Sequence, residues 1–356
     1  MIWFPESSIN EDISDAQYFE SAPWKDFISN SKLGLIDPNH GGSYGLFERL
    51  SKNEKRSKSL QHGTIVHSLL LQANDYGVSD IVRPSGKLGD MVYDVFRLRS
   101  RDNPVPIHEA ISTVVKLHDY YGKSLTKNRI VSAMRDGLPY YKHLRIYKDN
   151  VFVLNSEEVE VVLGCLEGIK ANSQAMSLLF PSNILRYNEF STACGVQIDD
   201  KHFMVKAKID NWTYDVVNNI ATLNDLKTTG ANIDYFMSGY TEQIPDMNGI
   251  ISIFHPGSFQ KYSYFRQMAM YTKILEMHII KTYGVKPKIY VNMVVVETKP
   301  PYRCQVFDVG HYEDDTFSRN ELRFGLNQTE VLLRSLKDNN YVQEIEWING
   351  ITNPFV

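Results

Sequence analysis

Cysteine is scarce in this chain. There are three, Cys165, Cys194 and Cys304, and no two stand in a CxxC spacing. That argues against a disulfide framework, a zinc ribbon and an iron–sulfur cluster, and it fits a reducing, cytoplasmic compartment. Long apolar runs are missing as well. None approaches the roughly 18 residues that a membrane span needs, so no membrane partner is expected. The opening "MIWFPESSINEDISD" carries acids where a secretory signal needs bases, so it does not read as a targeting peptide. Neither charge sign dominates. The formal net charge is -4, which does not advertise a polyanionic partner by itself. No internal repeat or low-complexity linker interrupts the chain. No P-loop is present, so ATP is not expected as a cofactor.

What is present suits a soluble α/β protein. Hydrophobic residues make up 43% and charged residues 22% of 356, enough for one large or two ordinary domains. The 21 tyrosines favour interfaces and stacking.

Hydrophobic spacing divides the chain in two. From about Ser31 to Phe180 the period is helical. "KSLQHGTIVHSLLLQ" predicts one helix and "LTKNRIVSAM" another. "IHEAISTVVKLHDYY" predicts a third, with Ile107, Ala110, Ile111, Val114 and Leu117 on one stripe. "NSEEVEVVLGCLEGIKANSQAMSLLF" predicts a single long helix, opened by Asn155 and Glu158 in a capping-box spacing and stopped before Pro181. The period then shortens. "ILRYNEFSTACGVQI", "HFMVKAKIDNWTYDVV" and "IATLNDLKTTG" predict three successive antiparallel strands, turning at Asp199-Asp200 and Asn218-Asn219. A loop-rich stretch follows, about Ala231 to Ser258. Next comes a helix ending at Gly284, where a C-cap glycine belongs. Two strands flanking Pro300-Pro301 and a helical tail, about Asp315 to Leu336, complete the pattern. We expect a mainly helical part, 1–180, packed on a sheet-containing core with its C-terminal helix, 181–356, as one integrated domain.

The chemistry concentrates in "LNDLKTTG". Asp225 and Lys227 are two apart in a strand, so their side chains share a face. A hairpin through Asn218-Asn219 brings Asp210 alongside Asp225. Two carboxylates so close are costly without a cation, and a hard divalent ion accepts oxygen ligands. The lysine could then deprotonate, orient or stabilise a water-derived nucleophile. Alone, this pattern is also that of an ordinary surface ion pair. Other pieces follow in order: Gly63 and His67 at helical i, i+4; Glu189 in the preceding strand; Gln267 and Tyr271 at i, i+4 on the following helix. Each has a bland alternative as core or helix-surface residue.

The ordered set G-x-x-x-H, acid strand, K-I-D, D-x-K-T-T and Q-x-x-x-Y resembles the RecB-type branch of the PD-(D/E)XK nucleases. Within that branch it is most similar to the RecE (exodeoxyribonuclease VIII) and lambda-exonuclease-like phage recombination nucleases. "ISNSKLGLID" and "YVNMVVVETKPPYRCQVFDVG" resemble further blocks, so the likeness spans roughly Ser31 to Gly310. It implies a restriction-endonuclease-like α/β fold: a central mixed sheet flanked by helices, with a helical N-terminal part. It implies a DNA exonuclease dependent on Mg²⁺, with Mn²⁺ as substitute, acting 5′ to 3′ on the ends of linear double-stranded DNA. The setting would be a bacterial or phage-infected cell. A single-strand annealing protein and a homo-oligomer are the implied partners.

By the same resemblance Asp210, Asp225, the Leu226 backbone carbonyl, Glu189 and His67 hold metal. Lys227 acts on the attacking water, and Gln267 and Tyr271 orient the site. The family's Gly-Arg-x-Asp is replaced here by Ala207-Lys208 before Asp210, and the loop between Thr229 and Gln267 is longer. Lys52, Lys55, Arg56 and Lys58, with Lys127 and Arg129, are candidate contacts to the DNA backbone, although such charge runs are commonly solvated helix faces. Two other readings are a structure-specific or restriction-type endonuclease and a non-catalytic DNA-binding protein of the same fold.

Overall fold

The computed structural model describes residues 1–11, 13–50, 58–73, 76–79, 84, 87–99, 105–118, 127–147, 151–154, 156–246 and 249–339. The chain begins with strand β1 (Ile2–Asn10), then helices α1 (Asp15–Glu20), α2 (Asn30–Gly34), α3 (Tyr44–Leu50) and α4 (Lys58–Leu71). Strand β2 (Gly77–Ser79), helices α5 (Lys87–Arg99), α6 (Ile107–Leu117) and α7 (Lys127–Tyr147) and strand β3 (Val151–Val153) follow. Helices α8 (Ser156–Ala171) and α9 (Ser173–Leu179) lead to strands β4 (Leu185–Ile198), β5 (Lys201–Asp215) and β6 (Ile220–Thr229). Strands β7 (Tyr240–Asp246) and β8 (Gly249–His255) precede helices α10 (Ser258–Lys261) and α11 (Tyr264–Tyr283). The last elements are β9 (Lys288–Glu297), β10 (Cys304–Glu313), β11 (Thr316–Phe317) and helix α12 (Asn320–Asp338).

Two compact units result, Met1–Gly63 with Gly164–Val356, and Thr64–Leu163. The first holds a seven-stranded mixed sheet in the order β1-β4-β5-β6-β9-β10-β11. Every neighbouring pair is antiparallel except β6 and β9. A parallel pair needs a crossover, and α11 lies within the connection. The helix buries Met268, Met270, Ile274, Leu275 and Ile279 in the core that includes Val291, Met293 and Val295 of β9. Helix α12 packs on α11 at Gly325, where a Cβ would stand 2.5 Å from the Phe265 carbonyl oxygen. The second unit packs α5, α6 and α7 around Met91, Val95, Phe96, Ala110, Val114 and Leu144. Of the expected α6 stripe, Leu117 at the helix end is exposed.

The α/β architecture with a mixed sheet between helices is as expected. Three local readings are corrected. The single long helix before Pro181 is two helices. Asn172 interrupts it, accepting from the Ala175 N–H at 2.9 Å as the N-cap of α9 and donating to the Cys304 carbonyl at 2.8 Å. The loop-rich stretch contains the β7–β8 hairpin, paired from Tyr240↔His255 to Asp246↔Gly249. Its proline and glycine spacing masked a run rich in β-branched residues. The N-terminal segment also supplies an edge strand, β1, which pairs with β4 and joins the sheet. The division expected at residue 180 therefore falls inside the first unit. All three cysteines are free thiols. Among the described residues no helix is long and apolar enough to cross a membrane.

His278 of α11 is buried against the rings of Phe190 and Trp212. Burial, then the charge of Lys281, lowers its pKa to about 4. The unfolded chain, with an ordinary histidine near 6.5, therefore binds the extra proton first. Stability from this group is full above about pH 6.5 and falls as the pH drops toward 4, by on the order of 3 kcal/mol. Urea titrations at pH 7 and pH 4.5 should show a smaller acid loss for His278→Gln than for the parent. Parallel losses in the two proteins would show that His278 is not the group responsible.

Candidate active site

Strands β5 and β6 form a hairpin whose turn is closed by Asp215, accepting from the Val217 and Asn218 N–H groups at 3.0 Å. Their pairing runs from Asp215↔Ile220 to Asn211↔Asn224 and stops there. The next residues on the two strands are Asp210 and Asp225. Where the ladder opens, the Asp210 carboxylate accepts from the Leu226 N–H at 2.8 Å, taking the place of a strand partner. The Lys227 ammonium lies 2.5 Å from Asp225 Oδ2 and 4.0 Å from Asp210 Oδ2. Asp225 is 1% exposed, and its Oδ1 accepts from Gln267 Nε2 of α11 at 3.0 Å. Burial by itself would lower the Lys227 pKa. The charges of Asp225 and then Asp210 outweigh it and hold the ammonium well above its usual range.

Glu189 occupies the corresponding place on β4. The β4–β5 register passes from Asn188↔Asn211 to Phe190↔Ile209, which sets Glu189 level with Asp210. A carboxylate oxygen of each lies within 4.8 Å of the other. Glu189 has φ +48°, a left-handed conformation unusual for a residue with a side chain. It breaks the alternation of faces: Tyr187 and Phe190, three apart, both reach α11, at Tyr283 and His278. Such an irregularity re-aims side chains where a strand bends. Lys208 pairs with Glu189 at 2.8 Å. Lys208 thus places a second ammonium beside Glu189.

The structure brings Asp210, Asp225, Lys227 and Gln267 together, with Glu189 beside Asp210. Tyr271 belongs to the same group. Burial and then the Asp225 charge raise its phenol pKa, while the Lys227 charge opposes them. His67 lies on α4 one turn after Gly63, within the second unit. At Gly63 an added Cβ would stand 3.2 Å from Thr228 Oγ1 of β6. Lys58 begins α4, and Lys127 and Arg129 fall in the first turn of α7. Lys52, Lys55 and Arg56 lie outside the described residues, as does Asn155.

Sequence reasoning missed two supports. The Lys227 ammonium lies 5.3 Å from the ring centroid of Tyr264, which opens α11. Tyr264 is three residues before Gln267, the same spacing on the helix that could have flagged it. The second support is buried. Arg266 donates to Asp37 Oδ2 at 2.6 Å and to Asn30 Oδ1 at 2.8 Å, and Gln328 of α12 donates to the same Asp37 oxygen at 2.8 Å. This clamp fixes the first turn of α11, and Gln267 is the next residue.

No family model and no curated protein sequence matches the chain. Among solved structures, that of a protein named "Putative exonuclease" from Eubacterium rectale aligns over 93% of this chain and 88% of its own, with TM-score 0.45 and 10% identity. The structure of SSO0001 aligns over 65% of this chain and 87% of its own, with TM-score 0.25 and 13% identity.

Asp37 is fully buried, and removal of Arg266 leaves its carboxylate with the His40 imidazole, 3.0 Å away, as its remaining ionisable partner. Arg266→Leu should cost about 3–5 kcal/mol of unfolding free energy in urea. The double variant Asp37→Leu/Arg266→Leu should recover part of that loss. A single variant as stable as the parent would contradict the clamp.

Proposed function

We propose that this chain is a DNA nuclease that hydrolyses phosphodiester bonds with a divalent cation, Mg²⁺ or Mn²⁺ in its place. The finer reading is an exonuclease acting on linear duplex ends, 5′ to 3′, in phage-type recombination. One observation carries the nuclease reading: Asp210 and Asp225, on adjacent strands, converge on the single Lys227 ammonium where the sheet opens.

The donor set fits a hard cation. Asp210, Asp225 and Glu189 offer carboxylate oxygens, the donors that Mg²⁺ and Mn²⁺ prefer. The Leu226 carbonyl and His67 complete the proposed ligands on the resemblance alone. A bound Mg²⁺ would supply Lewis acidity toward a phosphoryl oxygen and lower the pKa of a bound water. The protein's own groups do the rest. Gln267 holds one Asp225 oxygen and so fixes the rotation of that carboxylate. Lys227, two residues on and against Tyr264, can orient the attacking water or donate to charge developing on phosphorus. Tyr271 lies within reach of the Asp225 and Lys227 charges and is proposed to orient the same assembly. Lys52, Lys55, Arg56, Lys58, Lys127 and Arg129 are proposed to contact phosphates, with no reading of bases. A homo-oligomer and a single-strand annealing protein are the partners this reading entails.

The test uses linear and closed circular duplex DNA, labelled at either end, with Mg²⁺ or with chelator. Linear DNA should be degraded from its 5′ ends with Mg²⁺, and circular DNA should persist. Asp225→Ala should fall to the chelator background while its circular dichroism stays that of the parent. Lys227→Ala should lower kcat on the order of 10²–10³-fold. Cleavage of closed circles would favour the endonuclease reading, and an Asp225→Ala variant as active as the parent would refute the site.

A further inference from the structure

On the sheet face opposite the acids lies a row of amides. Asn188, Asn211, Asn224 and Asn292 stand level on β4, β5, β6 and β9. Three hydrogen bonds run along the row from Asn292 to Asn188. Asn292 Nδ2 donates to Asn224 Oδ1 at 3.2 Å, Asn224 Nδ2 to Asn211 Oδ1 at 2.8 Å, and Asn211 Nδ2 to Asn188 Oδ1 at 2.8 Å. A carboxamide has two N–H donors. The second donors of Asn224 and Asn211 go to the carbonyls of Leu178 and Leu179, at 3.1 and 3.2 Å. Those carbonyls end α9, where a helix leaves acceptors without intrahelical partners. One chain of amides therefore ties four strands together and closes a helix end.

Asn211 and Asn224 are both fully buried. A β-branched residue would fill the same space without the cost of desolvating an amide. What the amides add is register. In a strand a slip of one residue sends every side chain to the other face. An apolar row tolerates many alignments, but this row bonds only when the four asparagines are level.

The row's position gives that constraint its use. Asn211↔Asn224 is the last paired row of β5 and β6, and Asp210 and Asp225 are the very next residues. Likewise Asn188↔Asn211 is the last regular pair of β4 and β5 before Glu189. The sheet is thus pinned immediately beside the place where it opens. Asp210 can turn to the Leu226 N–H, and still lie level with Asp225 and Glu189, because the strands cannot slide at the adjoining row.

We propose that the asparagine row Asn188–Asn211–Asn224–Asn292 is a positioning device that sets the three carboxylates level across β4, β5 and β6. It acts through the strands and touches none of the reacting groups. Its link to cation binding rests on the reading given under Proposed function; its effect on strand alignment does not.

Amide hydrogen exchange separates positioning from plain stability. Asn224→Ala should speed exchange of the Leu226 N–H about tenfold or more beyond any change at the buried β9 amides of Ile289 and Val291. Asn292→Ala, which removes only the end link, should do the same to a smaller degree, and serves if Asn224→Ala does not fold. Ile289→Ala, a cavity at the far end of β9, should change all these amides together. Calorimetric titration with Mn²⁺ should show affinity about tenfold weaker in Asn224→Ala, the usual scale for losing a group that orients ligands. Exchange at Leu226 that merely follows the β9 amides in both asparagine variants would overturn the proposal. A parent that takes up no Mn²⁺ would refute the cation reading, and the exchange comparison would still decide the role of the row.

Discussion

Two carboxylates in a nearly dry place must share a positive charge, and the architecture of this chain is arranged about that constraint. Asp210 and Asp225 would repel each other at the mouth of the β5–β6 hairpin. The Lys227 ammonium answers both, within 2.5 Å of one and 4.0 Å of the other. Because the β5–β6 ladder ends one row earlier, Asp210 is available to reach Leu226 and the acids are not consumed in ordinary cross-strand packing. The opening between these two interior strands is lined with carboxylate oxygens, the donors that a hard cation prefers.

Rigidity comes from both faces. On one, α11 delivers Gln267 to Asp225, and the Asp37–Arg266 pair anchors the helix one residue before. On the other, the buried amide row binds the strands to the end of α9. Left-handed backbone occurs on both sides of the site, at Glu189 in β4 and at Ser263 before α11. Unusual backbone of this kind persists where surrounding structure holds it, and it gathers at functional sites.

Much of this was legible in the residues. The change from helical to strand spacing near Pro181 located the sheet, and Asn218-Asn219 located the hairpin that brings Asp210 to Asp225. Gln267 was legible as a residue of the following helix. What was not legible depends on tertiary context. Asn172 reads as a tolerable helix residue until its side chain is seen capping α9. Asn188, Asn211, Asn224 and Asn292 are scattered over more than a hundred positions, and only strand register makes them one object. The β7–β8 hairpin hid behind Pro245, Gly249 and Pro256, residues that argue for loops. In sequence Lys208 is a departure from the Gly-Arg-x-Asp of the nucleases that the chain resembles, whereas in space it is a partner for Glu189.

We propose that the opening between β5 and β6 holds a cation on Asp210 and Asp225. The most direct test is an anomalous-scattering map from crystals of the parent protein soaked in Mn²⁺. The account predicts a peak bonded to a carboxylate oxygen of each aspartate, with Lys227 displaced from between them. Well-ordered aspartates still bridged by Lys227, with no anomalous peak beside them at saturating Mn²⁺, would contradict it.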